Sequence, residues 1–185
     1  MKRIAGILAL LLIFAGCSSK PGQLDNAMAL RAKLHAQSVR FEAQITADYG
    51  DKTYAFTMEC TADPKGNLEF TVLAPESIAG ITGQISGSGG KLTFDGAALA
   101  FELMTDQQIT PVSGPWVLMR SLQSGYLTSC SETESGYLLS VDDSYEEDAL
   151  HLDVWLDHED VPTGCDIFWK GRRLLSITVS GFSFL

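Results

Sequence analysis

Val39, Phe41, Ala43, Ile45 and Ala47 alternate with Arg40, Glu42, Gln44, Thr46 and Asp48, and this run limits the possible folds more than any other feature. Strict alternation over this length marks a strand with one buried face and one wet face. After a Gly50-Asp51 turn, Tyr54, Phe56, Met58 and Cys60 repeat the pattern, with Thr57, Glu59 and Thr61 opposite. Asp63-Pro64-Lys65-Gly66 puts proline second and glycine fourth, as a type I turn favours. Leu68, Phe70 and Val72 then extend the same apolar face. Three sequential antiparallel strands therefore share one aromatic-rich face, and the remainder of the chain has to cover it.

Candidates for that cover lie on both sides. Leu24, Ala27, Met28, Leu30 and Leu34 recur at helical spacing and predict an amphipathic helix between Gly22 and Ser38, with His35 as a solvated residue near its end. Between Pro111 and Gly125, Ser113 reads as the N-cap of a strongly apolar helix containing Trp116, Val117, Leu118, Met119 and Leu122. A helix this apolar in a strand-rich chain packs on the sheet as core or contacts a ligand beneath it.

The intervening and following segments read as strands and turns. Pro75 to Ile81 predicts a short helical turn, and Ile81, Gly83 and Ile85 a fourth strand ending in the Ser86–Gly90 hairpin tip. That glycine-rich tip lacks the Lys-Ser/Thr and the following helix of a phosphate-binding loop. Asp95-Gly96 between Leu92-Phe94 and Leu99-Phe101 marks a type I′ hairpin. Further strands are expected near Tyr126–Thr133, Tyr137–Asp142, Leu150–His158, Cys165–Lys170 and Leu174–Phe184. A switch of parity at Gly181 predicts a bulge.

The first sixteen residues read as a lipoprotein signal peptide. Lys2-Arg3 is a positive start, and Ile4 to Phe14 is an apolar run too short for a spanning helix. Phe14-Ala15-Gly16-Cys17 looks like a lipobox, so Cys17 is the expected site of a covalent diacylglyceryl group, with its palmitate-type chains as membrane anchor. Residues 17–23 then form a short tether, and 24–185 a single domain. Removal of residues 1–16 leaves 11 basic and 23 acidic residues, a net charge of −12, which repels nucleic acid and anionic headgroups. Cys60, Cys130 and Cys165 allow one disulfide and one free thiol, or three buried thiols, and the sequence does not choose. His151 and His158 lie near Asp153, Asp157, Glu159, Asp160 and Cys165, but no H-E-x-x-H, C-x-x-C or triad-like phrase accompanies them. Neither a metal site nor an enzyme is expected.

The order of these elements, with the phrase Leu73-Ala74-Pro75-Glu76 through Ile78-Ala79-Gly80-Ile81, resembles the lipoprotein-localisation-factor (LolA/LolB-like) superfamily and its lipidated Gram-positive-type members. The resemblance runs from about Leu24 to Leu185. It implies a mainly β (α+β) fold: a strongly curved antiparallel sheet of about eleven strands, an incomplete barrel covered by two helices, whose concave side holds acyl chains or other apolar groups. If the first three strands form that concave face, Phe41, Ile45, Tyr54, Phe56, Met58, Phe70 and Val72 line one wall, with Trp116 and Met119 approaching from the second helix. The expected function is an extracytoplasmic, membrane-anchored lipoprotein binding a lipid, a fatty acid or an apolar or lipidated partner, with no other cofactor. The alternative is an envelope protein-interaction lipoprotein whose core is filled by its own side chains.

Overall fold

The computed structural model describes residues 22–105 and 108–185. Residues 1–16, the expected acylation site Cys17 and most of the expected tether lie outside them. Along the chain come α1 (Gln23–Ala36), β1 (Val39–Asp48), β2 (Thr53–Ala62), β3 (Leu68–Ala74), a 3-10 turn (Glu76–Ile78), β4 (Thr82–Ser86), β5 (Gly89–Phe94) and β6 (Ala97–Phe101). A small hairpin of β7 (Met104–Thr105) and β8 (Gln108–Ile109) leads through a second 3-10 turn (Pro111–Ser113) into α2 (Gly114–Ser124). The chain ends with β9 (Tyr126–Thr133), β10 (Gly136–Asp142), β11 (Leu150–Asp157), β12 (Pro162–Trp169) and β13 (Arg172–Phe184).

Among the described residues, eleven strands form one antiparallel sheet in the order β6-β5-β4-β3-β2-β1-β13-β12-β11-β10-β9. It is unclosed, with β6 and β9 as its edges, so the expected incomplete barrel is the observed architecture. The alternation in β1 is realised without exception: all five apolar residues are buried and all five polar ones exposed. Burying each large side chain of this kind is worth about 1.5–3 kcal/mol. The last strand pairs with the first, Ile177 opposite Ile45, and their register shifts between Arg40 and Glu42. Gly181, at φ +61°, takes up that shift on β13 as the parity switch predicts. Beyond the shift, the Phe182 ring stacks 5.8 Å from Phe41.

α2 lies against β2, β10, β11 and β13, and α1 against α2 and β9. Side chains of α1 cap the C-terminus of α2. Arg31 donates from Nε to the Leu122 carbonyl (2.9 Å) and from Nη2 to that of Gly125 (2.8 Å), and His35 Nε2 lies 2.9 Å from the Gln123 carbonyl. The last carbonyls of a helix have no partner within it, and its dipole favours a cation there. His35 is therefore a bridge between helices rather than a free end residue. The buried Gln123 completes the joint: its Nε2 donates to the carbonyls of Leu34 (3.2 Å) and Asp63 (3.1 Å).

Two local expectations need correction, while the end of α2 falls where expected. Leu24 and Met28 are 55% and 49% exposed, and α1 buries Ala27, Leu30 and Leu34 instead. Ser113 makes no side-chain capping bond, because the 3-10 turn has already bent the chain into the helix. Gly125 ends α2 in an extended conformation, φ −69°. Close approach demands the glycine here: a Cβ would lie 2.5 Å from Val141 Cγ1.

Candidate functional site

The inner face of the sheet can be followed along one register row. Phe41 lies opposite Cys60, Cys60 opposite Phe70, Phe70 opposite Gly83, Gly83 opposite Leu92 and Leu92 opposite Leu99. Directly opposed residues point to the same face, so this is one apolar row across six strands. Phe41, Cys60 and Phe70 are buried, Leu92 is partly covered, and Leu99 is 65% exposed. The row begins in the core and ends in solvent.

The buried part contains most of the residues expected to line a wall. Phe41, Ile45, Phe56, Met58, Phe70 and Val72 are all buried, and Met119 reaches them from α2 as part of the same core. Tyr54 departs from this group. It has the parity of Phe56 but lies at the start of β2, 46% exposed, with its ring 6.2 Å from that of Tyr49. Trp116 is half-buried, and its Nε1 donates to the Gly66 carbonyl at 2.8 Å, tying α2 to the β2–β3 turn. Its polar edge is spent on the scaffold.

The exposed part is a wing made by β5, β6 and the end of β4. No residue from Ser86 to Met104 is buried. Phe94 is 51% exposed, and Leu99, Leu92 and Phe101 share its face. Two aromatic rings are laid over glycines in the neighbouring strand: a Cβ at Gly83 would meet Phe70 Cζ at 2.4 Å, and one at Gly90 would meet Phe101 Cζ at 2.0 Å. Substituting either glycine would lift a ring off the sheet. Beside the wing, a cleft of about 960 Å³ is lined mostly by polar residues, among them Thr61, Asn67, Glu69, Gln84 and Lys91, with Phe101 at its apolar side. The chain leaving the wing crosses back over the inner face. Phe101 aligns through Gly90, Ile85, Leu68 and Ala62 with Val39 at the start of β1, yet Ile109 accepts a hydrogen bond from the Tyr49 hydroxyl beyond the other end. Burial, with Tyr54 adding to it, pushes the Tyr49 hydroxyl up to about 12.

The histidine and cysteine candidates do not converge. His151 is on the outer face, its Nδ1 2.7 Å from Asp142 Oδ1 and its Nε2 3.4 Å from Asp153 Oδ1. Cys165 is opposite Val154 on the inner face, where burial pushes its thiol far above the usual range. His158 is exposed in the turn after β11. Among the described residues no group of three or more His, Cys, Asp or Glu side chains is placed to hold a metal. Cys60, Cys130 and Cys165 are unpaired.

The uncovered wing was missed because Leu92, Phe94, Leu99 and Phe101 recur at every second position, as the large side chains of the core strands do. Periodicity tells which face a residue occupies, and says nothing of whether a helix covers it.

No protein-family model and no curated protein matches the sequence. Solved structures share its fold. A DUF1329 family protein from Desulfovibrio piger superposes with a TM-score of 0.50 at 9% identity, over 90% of this chain and 94% of that one. A LolA superfamily protein from Nitrosomonas europaea gives 0.44 at 10% identity, over 86% and 93%. LprF from Mycobacterium bovis gives 0.42 at 10% identity, over 88% and 93%. The likeness is one of fold.

Proposed function

We propose that this chain is a bacterial cell-envelope lipoprotein, exported on residues 1–16 and anchored through acylated Cys17 and the 17–23 tether. Its half-barrel, residues 24–185, acts as a binder rather than an enzyme and takes an acyl chain or similar apolar group along the free part of its inner face. The observation that carries this reading is the apolar row from Phe41 to Leu99, packed at one end and open at the other. A guest laid on Leu92, Phe94, Leu99 and Phe101 continues a core that the protein leaves unfinished. Each methylene removed from water there contributes about 0.8 kcal/mol, and such exposed apolar patches mark interaction sites.

A second reading has an observation of its own. Seven of the residues expected around a cavity, Phe41, Ile45, Phe56, Met58, Phe70, Val72 and Met119, are buried by the protein's own side chains. The covered half is self-filled, as a protein-interaction lipoprotein without a lipid guest requires. Native mass spectrometry of the full chain, released from membranes in mild detergent, separates the two. The lipid reading expects a non-covalent lipid, retained by the wild type and lost from Leu99→Ser. A lipid-free protein that co-purifies stoichiometrically with another protein would favour the second reading instead.

A further inference from the structure

We infer that the outward face of α1 lies on the anionic bilayer that holds the chain; this rests on the proposed acylation of Cys17. α1 is apolar on both sides. Ala27, Leu30 and Leu34 face the protein, while Leu24, Met28, Ala32 and Ala36, four residues apart along one line, face outward and are exposed. Asp25 and Lys33 are exposed as well, but a helix that buries its inner stripe and still leaves Leu24 and Met28 in water has a second apolar surface to cover.

The length of chain ahead of α1 selects the occupant. Four residues lie between Cys17 and Gly22, and the five steps they make span at most about 17 Å. The start of α1 is thus held close to the headgroups whatever the rest of the domain does. The helix of 14 residues is about 21 Å long, so once its first turn is at the surface the whole outward line can lie along it.

Charge points the same way. Residues 17–40 carry four basic side chains, Lys20, Arg31, Lys33 and Arg40, against the single acid Asp25, whereas residues 41–185 carry 7 basic and 22 acidic ones. Arg31 is engaged with α2, but Lys33 is exposed. The acidic body is repelled by anionic lipid, whereas the α1 end, with its net positive charge beside the anchor, is attracted. Apolar side chains flanked by lysine on a helix in the interface plane are the usual form of such contacts.

The test is lysine labelling of the acylated full chain in vesicles of phosphatidylcholine with phosphatidylglycerol, using a membrane-impermeant acylating reagent followed by digestion and mass spectrometry. Lys33 should react about fivefold more slowly in vesicles than in the unacylated Cys17→Ser chain free in buffer, while Lys170 on the body is unchanged. Leu24→Glu/Met28→Glu should restore Lys33 to its unprotected rate, and because both positions are exposed the variant still folds. The same digest reports the lipid on Cys17. An acylated Cys17 with Lys33 unprotected would overturn the docking and leave the anchor standing. An unmodified Cys17 would overturn both.

Discussion

The half of the sheet around β1 and β13 and the wing of β5 and β6 are built from the same kind of sequence and meet different ends. In both, large apolar residues recur at every second position through short hairpins. In the first, two helices roof the inner face and Phe41, Ile45 and Ile177 are buried. In the second, the roof is missing and Leu99 and Phe94 face water. The contrast shows that alternation creates a sticky face, while the placement of the two helices decides whether that face becomes core or site. Under the proposed reading it would also separate two jobs that a single cavity combines, the packed half holding the fold and the wing receiving the guest.

Four measurements would break or sharpen this contrast. The largest effect is expected at Phe41→Ala, where loss of a wholly buried ring should cost about 3–5 kcal/mol in denaturant unfolding; a cost near zero would mean that the covered half is not packed. Next comes Gln123→Ala, which strands the Leu34 and Asp63 carbonyls and should cost about 1–3 kcal/mol, read from the same midpoints. Leu99→Ser in the wing should shift stability by no more than about 0.5 kcal/mol while weakening a fluorescent fatty acid. If it destabilised the protein like Phe41→Ala, the two halves would not differ.

The smallest effect concerns pH. At Asp63, burial works against the charge, but hydrogen bonds from the side chain and backbone of Asn67 and from Lys65 N, with the charge of Lys65, outweigh it and hold the carboxyl below its usual range. A depressed carboxylate contributes stability above its unfolded value of about 3.9 and loses it as pH falls through the folded value. Below about pH 4 the wild type should therefore lose more of its midpoint than Asp63→Asn does. Equal acid sensitivity would remove this turn from the forces that seat Gln123.

Much of the fold was legible because hairpin chemistry is local. Asp95 and Gly96 take the positive φ angles, 47° and 77°, that a type I′ turn demands, and β9 occupies the expected span from Tyr126 to Thr133. The sheet order was less accessible, since pairing of β1 with β13 joins segments more than a hundred residues apart. Least legible were the polar joints of the cover. Arg31, His35 and Gln123 look like ordinary surface residues in sequence, and their roles exist only once the end of α2 is brought beside α1. For the same reason Trp116, an obvious apolar candidate, turned out to be fixed by its nitrogen.

Those joints bear on how a guest would come and go. With α2 fastened to α1 through Arg31 and His35, and to the β2–β3 turn through Gln123 and Trp116, the two helices can leave the sheet only together. Exchange by lifting the roof would then break several hydrogen bonds at once, whereas exchange along the wing breaks none. The half-barrel would behave as an open tray rather than a box with a hinge: a guest slides on and off from the β6 side, and its dwell time is set by how many methylenes it lays down rather than by a gating motion.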